Sequence, residues 1–376
     1  MSTSERDVGV RHAWVGWMAR SAFLLLIPVV VWGVSIAAAE GAFRLLGATP
    51  ATELEGLYKQ LPNGNYMHRP SVNADANWFG AKFTVYTDTL GFRCDRDRRY
   101  AVAPTHKVNI LLVGDSQTYG QGVSFEDSVA GTVIGRAASD GKHAVNVAVG
   151  GHLLQNQFEL LQILSDESAL RGRHVVLVLT PYLLAWPGDS TRATVGPDGR
   201  LYGSKVNRWK QFTVELKTRL VVYSKLRDAV RMTVAPPQTD DGILSVFIRE
   251  FETGAAEARR ADAFLKWMSS FKLWTERVGA DIHLVYAPLT LEFTFSELRE
   301  HARRKGVEID ADAPYRVAAL AADRFGLPLY DLRPTLLAVH QKGERLSLEG
   351  DPHYNPTVSI MAGTSIWTAV RGAMGN

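Results

Sequence analysis

Apolar and polar positions along the chain fall into three regimes. Residues 21–39 carry no charged side chain, and their core, Phe23-Leu24-Leu25-Leu26-Ile27-Pro28-Val29-Val30-Val31-Trp32, is apolar all round. Nineteen residues at ~1.5 Å each give about 28 Å, close to the ~30 Å hydrocarbon thickness of a bilayer. Arg6, Arg11 and Arg20 precede the run, which places the N-terminus on the cytoplasmic side and the rest of the chain beyond the membrane. The expectation is an uncleaved anchor. A cleaved signal peptide, with Ala37-Ala38-Ala39 as its A-x-A site, is the alternative.

Residues 40–105 form the second regime. They are rich in Gly, Asn, Pro and aromatics and read as a connecting segment with short strands, one of them at Lys82-Phe83-Thr84-Val85-Tyr86. In the third regime, 106–376, short continuous apolar runs alternate with helical patterns. Val108-Asn109-Ile110-Leu111-Leu112-Val113 ends at Gly114, as a strand buried on both faces would. Further strands are predicted over 144–149, 174–180, 281–287 and 327–332. Helices are predicted over 125–138, 153–164, 264–278, 314–325 and 356–371, the last with Asn355 as N-cap and Pro356 at its first position. This alternation predicts a doubly wound parallel sheet. Residues 187–260 break the rhythm with a turn-rich loop and helical stretches around Pro236-Pro237, and read as an insertion that covers or flanks the site.

Composition narrows the function classes. The 376 residues are 46% hydrophobic and 22% charged, with 42 basic and 39 acidic side chains and a net charge of +3. Nucleic acid is not an expected partner at that balance. Basic clusters such as Arg93 to Arg99 and Arg303 to Lys305 read as solvated surface. Cys94 is the single cysteine, so neither an intrachain disulfide nor a cysteine-rich zinc site can form.

Candidate chemistry sits where an α/β sheet would put it, beyond the carboxyl end of a strand. Ser116 follows the 108–113 strand in Val113-Gly114-Asp115-Ser116, where backbone N–H groups can face a developing oxyanion. A serine hydroxyl needs a base. His353 is the candidate, in Asp351-Pro352-His353-Tyr354-Asn355-Pro356, with Asp351 spaced to orient its ring. No third ligand joins Asp351 and His353, so no metal is expected, and no phosphate-binding P-loop or G-x-S-x-G elbow is present. No cofactor is expected.

Val113 to Val123, reading VGDSQTYGQGV, resembles the first block of the GDSL/SGNH hydrolases, in whose membrane-anchored branch it commonly reads GDSxTxGxGV. Asp351 to Pro356 resembles that family's final block, DxHxNP, and Asp88-Thr89-Leu90-Gly91-Phe92-Arg93 resembles its N-x-x-G-F-R lead-in. The resemblance implies a three-layer α/β/α flavodoxin-like fold and ester-directed serine chemistry with Ser116, Asp351 and His353 catalytic. It also implies an oxyanion hole from Ser116 and Gly151, with Gly150 the near alternative. The family's third-block Asn has no counterpart in Thr180-Pro181-Tyr182-Leu183-Leu184-Ala185-Trp186. Asn156 is a possible substitute donor, or an ordinary helix-surface amide. His152 reads as structural or solvent-facing. Three functions follow as expectations. One is an anchored extracytoplasmic (periplasmic) esterase that removes acyl groups, acetyl above all, from a glycan or small ester. Another is an O-acyltransferase using the same residues, paired with a multi-spanning membrane acyltransferase. The last is a degenerate glycan-binding or scaffold domain.

Overall fold

A computed structural model describes residues 26–46, 56–78, 81–102, 108–167, 172–186, 193–196, 198–202, 247–349 and 351–374, together with scattered positions between 212 and 226. Residues 21–25 of the expected membrane span, Pro236-Pro237 of the insertion and Gly350 lie outside the described residues.

The chain divides into two units, one of residues 1–51 with 208–237, the other of 52–207 with 238–376. In the first, α1 (Leu26–Leu45) is long and apolar enough to cross a membrane, with a mean hydropathy of 1.8. Valines at 29, 30, 31 and 34 and Trp32 are exposed along it. Near its end Arg44 pairs with Glu40 at 2.7 Å, and the Glu40 carboxylate accepts from the backbone N–H of Val221 and Val222 at 3.2 and 3.0 Å.

The second unit opens with an antiparallel hairpin, β1 (Tyr58–Gln60) and β2 (Tyr66–His68). A three-stranded antiparallel sheet follows, made of β3 (Asn73–Trp78), β4 (Ala81–Thr87) and β5 (Arg93–Cys94). The sequence between β4 and β5 explains itself locally. Asp88 is buried, and its carboxylate accepts from the N–H groups of Leu90 and Phe92 at 2.9 Å and of Val102 at 3.0 Å. Gly91 sits at φ +95°, where a Cβ would come within 2.5 Å of the His68 carbonyl, so only glycine fits. Arg93, expected on a solvated surface, is fully buried instead. Its guanidinium donates to the carbonyls of Tyr119, Gly120 and Val123 at 2.7–2.8 Å and lies 4.7 Å from the Tyr119 ring centre. Three carbonyls and an aromatic face replace its water.

The main sheet has five parallel strands: β6 (Val108–Val113), β7 (Ala144–Asn146), β8 (Gly172–Leu179), β11 (Asp281–Tyr286) and β12 (Leu329–Asp331). Their spatial order is β12-β11-β8-β6-β7. A short hairpin, β9 (Thr194–Val195) with β10 (Leu201–Tyr202), occupies part of the turn-rich loop. Alternation along β6 shows why its sequence is apolar throughout. Leu111 and Val113 join a cluster with α4 (Leu154–Glu167), α6 (Ala255–Val278) and α8 (Ala313–Phe325). Ile110 and Leu112 join the opposite cluster, with α3 (Val129–Ser139), α9 (Arg333–Gln341) and α10 (Pro356–Ala373). The result is the three-layer α/β/α, flavodoxin-like arrangement that the resemblance implied. Because β7 lies on one side of β6 and β8 on the other, the strand order reverses between β6 and β8, and the crevice beyond their carboxyl ends is where such sheets bind ligands.

Candidate active site

Ser116 opens α2 (Ser116–Tyr119), the turn of helix that leaves β6. A Cβ on Gly114 would overlap Thr118 Oγ1, so the glycine lets this turn fold directly onto the strand end. Asp115 caps the turn, its carboxylate accepting from the Gln117 N–H at 2.9 Å. The other Asp115 oxygen accepts from the Thr180 hydroxyl, which in turn accepts from Leu183 N–H at the start of α5 (Pro181–Ala185). The ends of β6 and β8 are thereby tied across the crevice. Gly120 closes α2 at φ 88°, and Arg93 holds its carbonyl from below. The lead-in segment therefore shapes the turn that carries Ser116 from a distance of some twenty residues.

Ser116 and His353 meet across 237 residues of chain. The Ser116 hydroxyl lies 2.7 Å from His353 Nε2. The other ring nitrogen, Nδ1, is hydrogen-bonded to Asp351 Oδ1, which also accepts the His353 backbone N–H at 3.0 Å. This pattern assigns the proton on Nδ1 to the Asp351 bond and leaves Nε2 as the acceptor for the serine hydroxyl. Several contacts fix the loop that carries the ring. Ser347 bridges Tyr354, Leu348 N–H donates to His353 O at 2.8 Å, and Asn355 caps α10 by accepting from Val358 N–H at 2.9 Å. Tyr354, buried, donates its hydroxyl to the Pro288 carbonyl. Trp78, from the end of β3, stands edge-on to His353 with ring centres 6.0 Å apart.

The acidic groups around the His353 ring are shifted in opposite directions. Burial pushes the Asp351 carboxyl up, but the His353 ring, its backbone N–H and the Trp78 side chain more than offset this, and the group is held below the usual carboxylate range. It is therefore ionised at neutral pH. Asp115 moves the other way: burial raises it, and the bonds from Thr180 and Gln117 only partly compensate. Two further acids nearby are also shifted upward. Glu250 is buried with neither carboxyl oxygen hydrogen-bonded among the described residues, and burial, with Asp115 and Glu292 next in effect, pushes it well above the usual range. Glu292 is pushed up to about 8 by burial, although Leu289 N–H donates to it at 2.8 Å and the Tyr286 hydroxyl lies 3.0 Å away.

The Glu292 shift has a testable consequence. A carboxyl whose folded pKa lies near 8 rather than at the ordinary 4.5 keeps a proton that the unfolded chain releases. Stability must then fall as pH climbs between those values. Glu292→Gln keeps an acceptor for Leu289 N–H, lets its NH₂ donate to the Tyr286 oxygen in place of the bond that Glu292 accepts from that hydroxyl, and has no charge to bury. We expect it to match wild type at pH 4 and to exceed it at pH 8 by on the order of a few kcal/mol. Thermal unfolding of both proteins at the two pH values checks this; parallel pH dependence would refute it.

The remaining expected residues divide. Gly150 and Gly151 sit in the turn after β7, next to β6 in the sheet. Gly151 has φ +79°, and a Cβ there would come within 3.0 Å of the Tyr66 hydroxyl, which donates to Gly150 O at 3.3 Å. Asn156 is not the helix-surface amide of the alternative expectation. It is buried, its Oδ1 accepting from Leu153 N–H at 3.1 Å and its Nδ2 pairing with Asn65 at 3.3 Å. His152 is structural: fully buried, with Nε2 donating to the Tyr66 carbonyl at 2.9 Å and its pKa pushed down to about 3 by burial. Sequence reasoning did not anticipate Thr180, whose hydroxyl is committed to Asp115, or Gln117, whose amide reaches the His353 loop. No group of three or more His, Cys, Asp or Glu side chains able to hold a metal ion occurs among the described residues.

No known family profile matches the chain, and no curated protein matches it. Among solved structures it is similar to TesA, with 14% identity over 70% of this chain and 98% of that one and a TM-score of 0.38. A lipase/acylhydrolase from Enterococcus faecalis shares 14% identity over 71% of this chain and 96% of its own, with a TM-score of 0.37. A catalytic mutant of the acetylxylan esterase Axe2 from Geobacillus stearothermophilus shares 12% over 70% and 94%, with a TM-score of 0.39. Likeness at this level says nothing of activity or substrate; the chemistry rests on the side chains of this chain.

Proposed function

We propose that the protein is a serine esterase, anchored by α1 and working outside the membrane, in which Ser116 is the nucleophile, His353 the general base and Asp351 its orienting carboxylate. The observation that carries this is the continuous line of hydrogen bonds from Asp351 through the His353 ring to the Ser116 hydroxyl, with the last link 2.7 Å long. In the forward step Ser116 Oγ attacks an ester carbonyl while His353 Nε2 takes its proton, and the imidazolium is stabilised by Asp351. The same proton then goes to the departing alkoxide, leaving an acyl-enzyme. Water, deprotonated by His353, releases the acid and restores the serine.

The oxyanion acceptors we assign are the backbone N–H groups of Ser116 and Gly151. Ser116 is the first residue of its helical turn, a position whose N–H has no acceptor within the helix. The substrate we put forward is a short acyl ester, acetyl above all, on a glycan outside the membrane; the Trp78 indole, its ring centre 6.0 Å from that of His353, is the aromatic side chain we assign to border the sugar. The test uses the full chain in detergent with p-nitrophenyl acetate and with acetylated oligosaccharides. Release of acetate that depends on Ser116 supports the proposal, and no Ser116-dependent release from any ester refutes it. Appearance of acetyl groups on an added oligosaccharide, in place of free acetate, would move the reading from hydrolysis to transfer.

A further inference from the structure

Gln117 follows the nucleophile directly, and its side chain is buried. Its Nε2 donates to the Pro352 carbonyl at 3.2 Å, and its Oε1 accepts the Tyr354 N–H at 3.0 Å. These two backbone groups flank His353 on either side. One amide therefore grips the chain immediately before and immediately after the base. Since one partner is a carbonyl and the other an N–H, the amide fits in one orientation only. Gln117 is itself fixed, because its own N–H is held by the Asp115 cap at 2.9 Å, and Asp115 is held by Thr180.

We propose that Gln117 is a positioning residue that sets the distance between Ser116 and His353, by clamping the His353 backbone to the turn that carries the nucleophile. The inference rests on the esterase reading for its kinetic consequence, but not for its geometric one. The rest of the loop has its own supports in the Ser347–Tyr354 bridge, the Leu348–His353 bond and the Tyr354–Pro288 bond. Loss of the clamp should thus free the ring without unfolding the loop. A displacement of about 1 Å between reacting groups can cost on the order of 10²-fold in rate. No other side chain is hydrogen-bonded to both neighbours of His353 among the described residues.

Two variants separate this role from simple packing. Gln117→Met keeps the volume and removes both hydrogen bonds. Gln117→Glu keeps the acceptor for Tyr354 N–H and makes the other contact depend on pH. When protonated, the introduced carboxyl can donate to Pro352 O; when ionised, it faces that carbonyl with a negative charge. The expected result for Gln117→Met is a fall in kcat of about 10- to 100-fold, with KM changed by less than about twofold. For Gln117→Glu, activity relative to wild type should be near normal in acid and decline as pH rises through the titration of the new carboxyl. Wild-type kcat and an unaltered pH profile in both variants would overturn the proposal. If Gln117→Met fails to fold, the pH profile of Gln117→Glu decides alone.

A turnover-independent reading comes from proton NMR of the His353 Nδ1–H bonded to Asp351, observed in protein with isotope-labelled histidine. Its resonance should shift or broaden in Gln117→Met, and an unchanged resonance contradicts the clamp. Ser116→Ala serves as the control: if it retains full esterase activity, the functional reading fails, while the NMR comparison still tests the clamp.

Discussion

Ser116→Ala is expected to lower kcat/KM for a small acyl ester by about 10⁴- to 10⁶-fold, with the fold and thermal stability little changed. The size follows from the geometry. The hydroxyl is the one atom placed 2.7 Å from His353 Nε2, and no other described serine or threonine is hydrogen-bonded to that ring. Removing it leaves only binding and whatever oxyanion stabilisation the backbone supplies, which are worth far less than the covalent route. Stability should hold because Ser116 is only half-buried at the mouth of the crevice and its side chain makes no bond that the turn needs. The turn is capped by Asp115 and gripped by Arg93, and both remain. Initial rates across a range of substrate concentrations, with circular dichroism as the fold check, measure this. A loss of less than about tenfold would mean that the hydrolysis arises elsewhere.

Asp351→Asn should cost nearly as much, about 10⁴-fold in kcat, by a different route. The Asp351 carboxylate can only accept, so it fixes the proton on His353 Nδ1 and leaves Nε2 free to accept from Ser116. An amide can present its NH₂ to Nδ1 instead. The ring then carries its proton on Nε2, facing the serine hydroxyl with a donor where an acceptor is needed. The imidazolium formed during attack also loses its counter-charge. Acid should mimic part of this effect. Asp351 has a depressed folded pKa, so its contribution to stability is fully present above the ordinary carboxylate range and is lost as pH falls through the lower, folded value. Wild-type loop stability should accordingly persist into moderate acid, and in the Asn variant that acid-dependent part should be absent. Chemical denaturation at pH 3 to 7 would show it. An Asn variant with wild-type kcat would remove Asp351 from the site.

The central sheet was legible because both its faces are buried, so its strands are apolar at every position rather than at alternate ones. β6 runs from Val108 to Val113 as its sequence predicts. β7 is shorter than its apolar run. It ends at Asn146, whose side chain turns back to accept from Ala148 N–H at 3.1 Å and so competes with continued pairing. Pro181 ends β8, as expected, but also starts α5 with Thr180 as its cap, a double use that a strand-ending proline conceals. Helix α7 (Phe295–Arg304) escaped notice because half of its sequence, FSELREHARR, is charged. Only Phe295, Leu298, His301 and Ala302 are buried, and three of them pack with Ile248 and Phe251.

In the site, the Asp351-Pro352-His353 spacing and the strand-end position of Ser116 were readable because short covalent spacing and strand ends constrain geometry directly. Gln117, Thr180 and Arg93 were not. Their roles depend on partners 235, 65 and 26–30 residues away, which no local pattern announces. The Arg93 case shows the risk most plainly. A cation within a run of charges suggests solvent, yet backbone carbonyls on a neighbouring turn can take the place of much of its water.

The most direct test of the account is labelling by a fluorophosphonate, which reacts only with a serine already activated by its base. Full-length protein should take up one adduct, mapped by peptide mass spectrometry to Ser116, and His353→Ala should slow the labelling by orders of magnitude. No adduct on Ser116, or labelling at the same rate without His353, would contradict it.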